Sequence, residues 1–430
     1  MNKIFTFIKL FYYLLPKIIR EQYLDSIEFY KLIFIHNFNK IMNKTQKRIV
    51  TLVDEIDQLN IPSKILFRKE NRINRIESPK LYIAGDFCYK ESIEGFVPDI
   101  EVYLLSDVNV VGSTDALVHN NKMHHYELSN MDKIHDLKCF DIFTLKTDSQ
   151  NKYELNVKNI KLNDDLIYIS LLKEHSINYY HFITEALPRL TIILSILEDN
   201  FDIKKEDFTI LIDKGMPTQC KDIIQSMITK NIKIKEIDRG SLVNCKKLIY
   251  CTPLWLSLDN TKYLPNPKKE FFVDTYALDI VKNKIVQQVD KKYNIKNNKI
   301  YLQRLNNKLR SITNIVEVEK FLYKHNFDFI DTSTLSFEEQ VNLFSNAKII
   351  IGASGASFTN MLFMQEDSTV ISFYPSAQST NYYVFQPLSD IANINFIHFL
   401  TEPEDYSNSV HGNASVNINE LNKLLKDIDI

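Results

Sequence analysis

Residues 348–364, KIIIGASGASFTNMLFM, join an apolar run to a Gly- and Ser-rich turn and then to a second apolar segment. A short, continuous apolar run is typical of a buried parallel strand, and the segment after the turn predicts an amphipathic helix. Backbone N–H groups in such a turn, at the positive end of the helix, form a site for an anion such as a diphosphate. Gly and Ser also occur in such turns for purely conformational reasons. The surrounding sequence therefore has to show whether this turn binds an anion.

Strand-like and helix-like segments alternate throughout this half of the chain. Ser336 precedes a helical pattern and Glu339 follows three residues later, a spacing that predicts a capping box and hence a helix start. The predicted strands are KIYLQR, FDFID, KIIIGAS and TVISFYP, and the predicted helices are IVEVEKFLYKHN, SFEEQVNLFSNA and the late segment VNINELNKLL. This alternation indicates a Rossmann-like domain.

The earlier half is more mixed but also predicts an α/β domain. Short β-like runs between residues 80 and 168 precede LIYISLL, a helix from about 178 to 197, and an alternation of FTILID, QCKDIIQSMITK and KLIYCTP. The Pro- and Lys-bearing stretch YLPNPKKE, residues 263–270, is the best candidate boundary. We therefore predict an N-terminal helical extension at 1–50, an α/β domain at 51–270, a linker helix at 271–297 and a Rossmann-like domain at 298–430.

Bulk properties exclude some classes of function. A formal net charge of -2 over 430 residues gives no global basis for nucleic-acid binding. The five Cys residues are scattered and odd in number, which predicts neither a disulfide framework nor a zinc finger and favours a reducing compartment.

The N-terminal apolar segment, residues 4–19, is too short and too interrupted to span a membrane comfortably, and it lacks the small-residue cleavage site of a secretory signal. Two alternatives stay open for residues 1–40. They pack on the protein's own surface, or they lie in a membrane interface with Lys3, Lys9, Lys17 and Arg20 facing anionic lipid.

Two arginines accompany the glycine-rich turn. Arg304 ends a predicted parallel strand and Arg310 lies on the following loop, so both leave the sheet at the edge where open α/β sheets bind ligands. Guanidinium groups pair with phosphate in bidentate geometry. The turn lacks both the Lys of a Walker loop and a G-x-G-x-x-G pattern, which disfavours ATP hydrolysis and nicotinamide binding. The alternative is that both arginines are solvated surface charges.

A second candidate constellation is NYYHFITEALPRL, residues 178–190. His181 and Glu185 are four residues apart and share one helical face. An imidazole takes up a proton from an attacking hydroxyl, and a carboxylate either does the same or orients the imidazole. A purely structural hydrogen bond is the alternative. Pro188 predicts that helical conformation is disfavoured at Leu187, and the absence of H-E-x-x-H disfavours zinc.

These segments together resemble glycosyltransferase family 61. The family carries a segment like N-Y-x-H-W/F-x-x-E-x-L-P-R-L, then a strand ending in basic residues, a helix like L-S-F-x-E-Q-x-x-L-F-x-x-A and a loop like G-P-H-G-A-x-L-T-N-L-L-F. This chain has NYYHFITEALPRL, YLQR, LSFEEQVNLFSNA and GASGASFTNMLF in that order. The resemblance covers roughly residues 81–425 and is specific in the motif regions.

The resemblance implies a GT-B fold, in which two Rossmann-like domains face a cleft, and inverting sugar transfer from a nucleotide-sugar donor to a hydroxyl of a glycan or glycolipid acceptor. It implies no obligatory metal and no cofactor. His181 and Glu185 become the expected catalytic residues. The expected donor-binding residues are Arg304, Arg310, Ser354, Gly355, Ala356, Ser357 and Asn360, and the expected acceptor-side residues are Asn178, Tyr180 and Arg189.

One departure from the family pattern concerns the loop, where Ala353 and Ser354 stand in place of a Pro-His pair. A hydroxyl donates a hydrogen bond to phosphate but offers no cation. Two readings of function follow. The first is an enzyme of surface or capsular polysaccharide synthesis at the cytoplasmic side of a membrane, and the second is a non-catalytic sugar-nucleotide-binding or scaffold protein of the same fold. An unrelated phosphate-binding enzyme such as an epimerase ranks below both.

Overall fold

The computed structural model describes residues 46–70, 72–130, 142–145, 151–162, 166–199, 208–228, 232–257, 271–288, 298–304, 310–376, 380–404 and 412–429. Residues 46–50 begin the strand Gln46–Val53, so the predicted helical extension is wrong there. Its remainder, including every residue assigned to a membrane surface, lies outside the described part. No helix of the described ranges is long and apolar enough to cross a membrane.

The first large sheet is formed by the earlier half of the chain. Its eleven strands include, in spatial order, Phe143–Leu145, Lys152–Ile160, Gln46–Val53, Lys122–His124, Leu117–His119, Ile100–Val111, Ser241–Cys251, Ile167–Ser170, Phe208–Asp213 and Ile232–Ile237, with Ser63–Lys69 paired to Ile100–Val111. The last four in that order run parallel to one another. The pattern LIYISLL followed by FTILID correctly predicts part of this parallel region.

The second large sheet has eight strands. Its spatial order is Asp328–Ile330, Lys299–Leu302, Ile349–Ala353, Thr369–Pro375, Asn395–Pro403, Lys80–Ile83 and Asp86–Tyr89, with Ala414–Ser415 paired to Asn395–Pro403. The first five strands are parallel, and their chain order is that of a doubly wound sheet of the 2-1-3-4-5 type. The order reverses between Lys299–Leu302 and Ile349–Ala353, and such a switch point is where these sheets bind ligands.

Two smaller pairings complete the strands, Arg72–Ile76 with Ile93–Val97 and Trp255–Ser257 with Phe271–Val273. The α-helices are Tyr126–Asn130, Tyr179–His181, Leu187–Asp199, Thr218–Met227, Thr275–Gln288, Ile315–Lys324, Phe337–Asn346, Gln386–Ala392 and Ile418–Asp427. Short 3₁₀ helices occupy Ile56–Leu59 and Thr332–Thr334. The capping box at Ser336 is confirmed, because its side chain accepts from the backbone N–H of Glu339 and the Glu339 carboxylate accepts from that of Ser336.

The two sheets are joined through strands and core. Lys80–Ile83, from the earlier half, pairs in parallel with Asn395–Pro403, from the later half. The largest buried apolar cluster also draws on both, with Ile169 and Ile210 from the first sheet and Ile350 and Val370 from the second. The Leu187–Asp199 and Thr275–Gln288 helices lie within this shared core.

The segment after the glycine-rich turn is a 3₁₀ helix, Ala356–Phe363, and not the predicted amphipathic α-helix. Runs of 3₁₀ helix longer than three or four residues are uncommon. Residues 358–363 are all buried, so packing on every side overrides the local preference.

The predicted effect of Pro188 is also corrected. Leu187 is helical, with φ -64° and ψ -40°, and the break falls one turn earlier as a π-helical stretch, Phe182–Ala186. Proline has no N–H to bond a carbonyl of the preceding turn. A wider turn, in which the Leu187 N–H reaches the Phe182 carbonyl, accommodates this loss. Such π-turns occur frequently at functional sites.

Candidate active site

The glycine-rich loop lies at the switch point of the second sheet. Leu302 is in register with Gly352, so Arg304 and Ser354 leave neighbouring strands side by side. The Ser354 carbonyl oxygen accepts from an Nη1 of Arg304 at 2.7 Å and from an Nη1 of Arg310 at 3.2 Å. The structure therefore brings together the two arginines and the loop, as the sequence predicted.

Gly355 lies in close contact with the guanidinium of Arg304. Its φ of -178° is extended backbone that any residue adopts. A Cβ at this position would lie 3.3 Å from Cζ of Arg304 and 3.4 Å from an Nη1. The absence of a side chain therefore lets the guanidinium lie directly against the loop backbone.

Positive charge accumulates at this edge. Burial, followed by the like charge of Arg310, lowers the pKa of Arg304. No carboxylate among the residues that the structure describes pairs with Arg304. An anion bound here would relieve the repulsion between the two guanidinium groups. The edge is therefore electrostatically suited to phosphate.

The other predicted donor residues divide into two groups. Ala356 and Ser357 are half-buried at the loop surface. Ser354 and Asn360 are fully buried. The Asn360 Oδ1 accepts from the Tyr179 hydroxyl at 2.5 Å and its Nδ2 donates to Gln340 at 2.9 Å. Asn360 thus binds protein groups, and the donor contact predicted for its side chain is replaced by a structural one.

His181 and Glu185 form a hydrogen-bonded pair. The distance from His181 Nδ1 to Glu185 Oε1 is 2.6 Å, and their side chains are 16% and 4% exposed. The second carboxylate oxygen, Oε2, lies 3.1 Å from Lys173 Nζ. Because one oxygen of Glu185 contacts the imidazole and the other contacts an ammonium group, the carboxylate is suited to orient His181 through Nδ1, and it does not engage Nε2.

The helix that carries this pair begins at Asn178. The Asn178 side chain accepts from the backbone N–H of Tyr180 and so caps the first turn. Tyr180 is buried, its hydroxyl donates to the Val384 carbonyl at 2.9 Å, and its ring packs edge-on to that of His181. Tyr180 thus positions the helix, and the predicted acceptor contact is not available to its buried side chain.

A cluster of buried charged side chains surrounds the carboxylate of Glu185, the partner of His181. Lys173 Nζ lies 3.1 Å from Glu127 Oε1 as well as 3.1 Å from Glu185 Oε2. His125 Nε2 lies 2.8 Å from Glu174 Oε1. Burial opposes the charged form of Lys173, but the charges of Glu185, Glu127 and two further carboxylates outweigh it and hold the pKa of Lys173 well above its usual value.

His125 and Glu174 likewise stabilise each other's charged forms against the effect of burial. Burial lowers the pKa of His125, but the charge and hydrogen bond of Glu174 reverse this effect and leave that pKa raised. Burial likewise opposes ionisation of Glu174, and the charge of His125 outweighs it, so that the pKa of Glu174 is lowered. Both partners therefore favour their charged forms.

Arg189 lies inside the domain, where the sequence predicted an acceptor contact. Its side chain is 1% exposed. Nη2 of Arg189 donates to Asp115 at 2.9 Å, and Nε of Arg189 donates to the Cys251 carbonyl at 2.9 Å. The guanidinium also lies over the ring of Tyr250. Arg189 therefore ties the site helix to a strand end and a loop, and the predicted acceptor role is corrected to a structural one.

Replacing Arg189 by Met is expected to lower the free energy of unfolding by about 3–5 kcal/mol, because it leaves Asp115 as an uncompensated buried charge. Urea denaturation measures this. The matched control is Asp107→Asn, which removes an ion pair to Lys246 whose two side chains are 53% and 46% exposed, and it should cost less than about 1 kcal/mol. A loss for Arg189→Met no larger than for this control would contradict the assignment.

Sequence reasoning missed Lys173, Glu127 and Asp115. Lys173 and Glu174 follow a strand as a charged dipeptide, which resembles an ordinary solvated turn. Their partners lie 46 and 49 residues away in sequence, and no local pattern reports such pairings. Among the described residues, no group of three or more His, Cys, Asp or Glu is arranged to hold a metal ion.

The pair and the loop belong to neighbouring parts of the structure. Tyr179, two residues before His181, donates its hydroxyl hydrogen bond to Asn360, five residues after Gly355. Burial raises the pKa of the Tyr179 hydroxyl well above its usual value, so the group stays protonated and donates. The short helix that contains His181 therefore packs against the 3₁₀ helix that follows the glycine-rich loop.

Comparison with known proteins gives a class for this arrangement. Residues 179–371 match the family model Glycosyltransferase 61, a span just under half the chain that includes the His181–Glu185 pair, Arg304 and the glycine-rich loop. The resemblance to glycosyltransferase family 61 is thereby confirmed over that span, which supports a glycosyltransferase.

The chain is also similar to the CRISPR-associated endoribonuclease Cas13a of Leptotrichia wadei (strain F0279). The two are 23% identical over 365 residues, which is 74% of this chain and 29% of the relative. This chain thus covers less than a third of that relative, and the similarity assigns it no activity.

Proposed function

We propose that this protein is an inverting glycosyltransferase that moves a sugar from a nucleotide-sugar donor to a hydroxyl of a glycan or glycolipid acceptor. The observation that carries the proposal is the Tyr179–Asn360 hydrogen bond, which joins the helix of the His181–Glu185 pair to the 3₁₀ helix after the glycine-rich loop that Arg304 contacts. Inverting transfer needs a base on one side of the anomeric carbon and charge stabilisation on the other.

His181 is the proposed base. Its Nδ1–H donates to Glu185, which leaves the Nε2 lone pair to accept the proton of the acceptor hydroxyl. The acceptor oxygen forms a bond to the anomeric carbon as the bond to the donor's phosphate oxygen breaks. The electron pair of that bond leaves with the nucleotide, and the acceptor proton ends on His181.

Arg304 and the loop are proposed to hold the departing phosphate groups. The Arg304 guanidinium lies against Gly355, and the half-buried Ala356 and Ser357 follow directly at the loop surface. Fixed donors aimed at developing negative charge stabilise a transition state without reorganisation. Arg310, whose Nη1 donates to the same Ser354 carbonyl, adds a second cation at this edge.

The finer features belong to the same proposal. They comprise the GT-B arrangement, with an acceptor-side part at 51–270, a linker helix at 271–297 and a donor-side part at 298–430. They include transfer without a metal or cofactor. They also comprise a role in surface or capsular polysaccharide synthesis at the cytoplasmic face of a membrane. The family match and the switch-point position of the loop support the donor side of this account.

A thermal-shift panel of UDP-, GDP-, dTDP- and CMP-sugars tests the proposal. A ligand that binds only the folded state stabilises it, by about 2.7 kcal/mol at one hundred times its Kd. At least one sugar nucleotide is expected to raise Tm in wild type and not in Arg304→Met. Binding without turnover of any donor would favour the scaffold reading, and neither binding nor turnover would defeat both.

A further inference from the structure

The buried cluster beneath His181 contains more carboxylates than permanent cations. Its ion pairs join four carboxylates to Lys173, Arg189 and His125; the carboxylates are Asp115, Glu127, Glu174 and Glu185. Asp213 adds another buried carboxylate, which accepts from the Lys173 backbone N–H at 3.1 Å. His181 is a further imidazole bonded to this cluster, through Glu185.

Lys173 is shared between two of these carboxylates. Its Nζ is 3.1 Å from Glu127 and 3.1 Å from Glu185, and its side chain is 3% exposed. Water therefore screens these interactions poorly, and a change of one charge at either carboxylate is transmitted to the other. Glu185 passes the effect to His181 through the 2.6 Å hydrogen bond.

We propose that Lys173 and Glu127 are positioning residues that set the basicity of His181 through the charge balance around Glu185. The inference rests on the proposed function, in which His181 is the base. Lys173 offsets part of the negative charge of Glu185, whose Oε1 lies 2.6 Å from Nδ1 of His181. Glu127 competes for the same ammonium group and limits how strongly it neutralises Glu185.

The sign of each effect follows from charge. Removing the ammonium of Lys173 leaves the cluster more negative, and His181 then takes up a proton more readily. Removing the charge of Glu127 leaves Lys173 fully directed at Glu185, and His181 then takes up a proton less readily. Two titratable side chains besides Glu185 face the imidazole: the ring centroid of His175 is 5.3 Å from that of His181, and the ring centroid of Tyr180 is 5.2 Å from it. Both are left unchanged in every variant.

The test compares Lys173→Met, Glu127→Gln and the double variant by the pH dependence of donor turnover. The acid limb, where protonated His181 no longer acts as a base, should move to higher pH by about 1 unit or more in Lys173→Met and to lower pH in Glu127→Gln. The double variant removes one charge of each sign and should return the limb close to its wild-type position. A merely structural role predicts neither the opposite signs nor the compensation.

A second readout does not depend on activity. Selective ¹⁵N labelling of histidine, assigned with His181→Ala, reports the protonated fraction of His181 at pH 7. This fraction should rise in Lys173→Met and fall in Glu127→Gln. Lys221→Met is the control, because Lys221 pairs with Glu236 on the surface, at 34% and 40% exposure, and should move neither readout.

The outcomes separate the two proposals. Absence of turnover in wild type, with the expected shifts in His181 protonation, would reject the proposed function and keep the charge coupling. Unchanged protonation, or shifts of the same sign in both single variants, would overturn the inference. If Lys173→Met does not fold, Glu127→Gln and the double variant still decide, since the double variant removes one charge of each sign and leaves the net charge of the cluster unchanged.

Discussion

Replacing His181 by Ala is expected to lower kcat for donor turnover by about 10²–10⁴-fold, the usual contribution of a positioned general base. The acceptor hydroxyl then loses its proton acceptor, whereas the loop that holds the donor is untouched. Donor affinity should therefore stay near the wild-type value. Steady-state rates of nucleotide release and the thermal shift with the same donor measure the two effects separately.

Glu185→Gln and His325→Ala are the comparisons for this prediction. Glutamine keeps the size of Glu185 but loses the charge that orients the imidazole, so it should lower kcat without removing the base itself. His325 follows the Ile315–Lys324 helix and bonds the Phe321 carbonyl, away from the pair, and its replacement should leave turnover unchanged. Wild-type rates in His181→Ala would rule out the imidazole as the base.

Replacing Arg304 by Met should lower kcat/KM by about 10²–10³-fold, the cost of removing one donor that stabilises a developing charge. In contrast to the His181 variant, donor binding should weaken as well, because the guanidinium contacts the phosphate groups before and during transfer. Arg304→Lys keeps the charge but not the planar fork, so it should recover only part of the activity.

Gly355→Ala tests the position of the Arg304 guanidinium without removing its charge. The added Cβ would lie 3.3 Å from Cζ of Arg304, so the guanidinium must move by a few tenths of an ångström, and the loss should be smaller than in Arg304→Met. The control is Arg75→Met, since Arg75 pairs with Glu77 at 58% exposure of both side chains. Full activity in Arg304→Met would remove this loop from the site.

The sequence predicted features that depend on local pattern. The alternation of strands and helices after residue 298, the capping box at Ser336 and the approach of Arg304 to the glycine-rich loop are all confirmed. The first two features depend on residues close in sequence, whereas the third depends on which strand ends share an edge of the sheet. Parallel strands place their carboxyl ends at one edge, so two residues that end neighbouring strands meet there.

Features that depend on distant residues could not be predicted in this way. The pairing of Lys80–Ile83 with Asn395–Pro403 joins segments more than 300 residues apart. Arg189 sits in a motif beside two candidate catalytic residues, and only its burial against Asp115 reveals a structural role. The 3₁₀ geometry of Ala356–Phe363 likewise follows from packing on all sides.

The most direct test of the account measures nucleotide release from UDP-, GDP-, dTDP- and CMP-sugars by wild type, His181→Ala and Arg304→Met, with donor binding recorded in parallel. We expect release by wild type with at least one donor, bound donor without release in His181→Ala, and loss of both in Arg304→Met. Equal release by wild type and His181→Ala, or equal donor binding by wild type and Arg304→Met, would contradict a single site built from the pair and the loop.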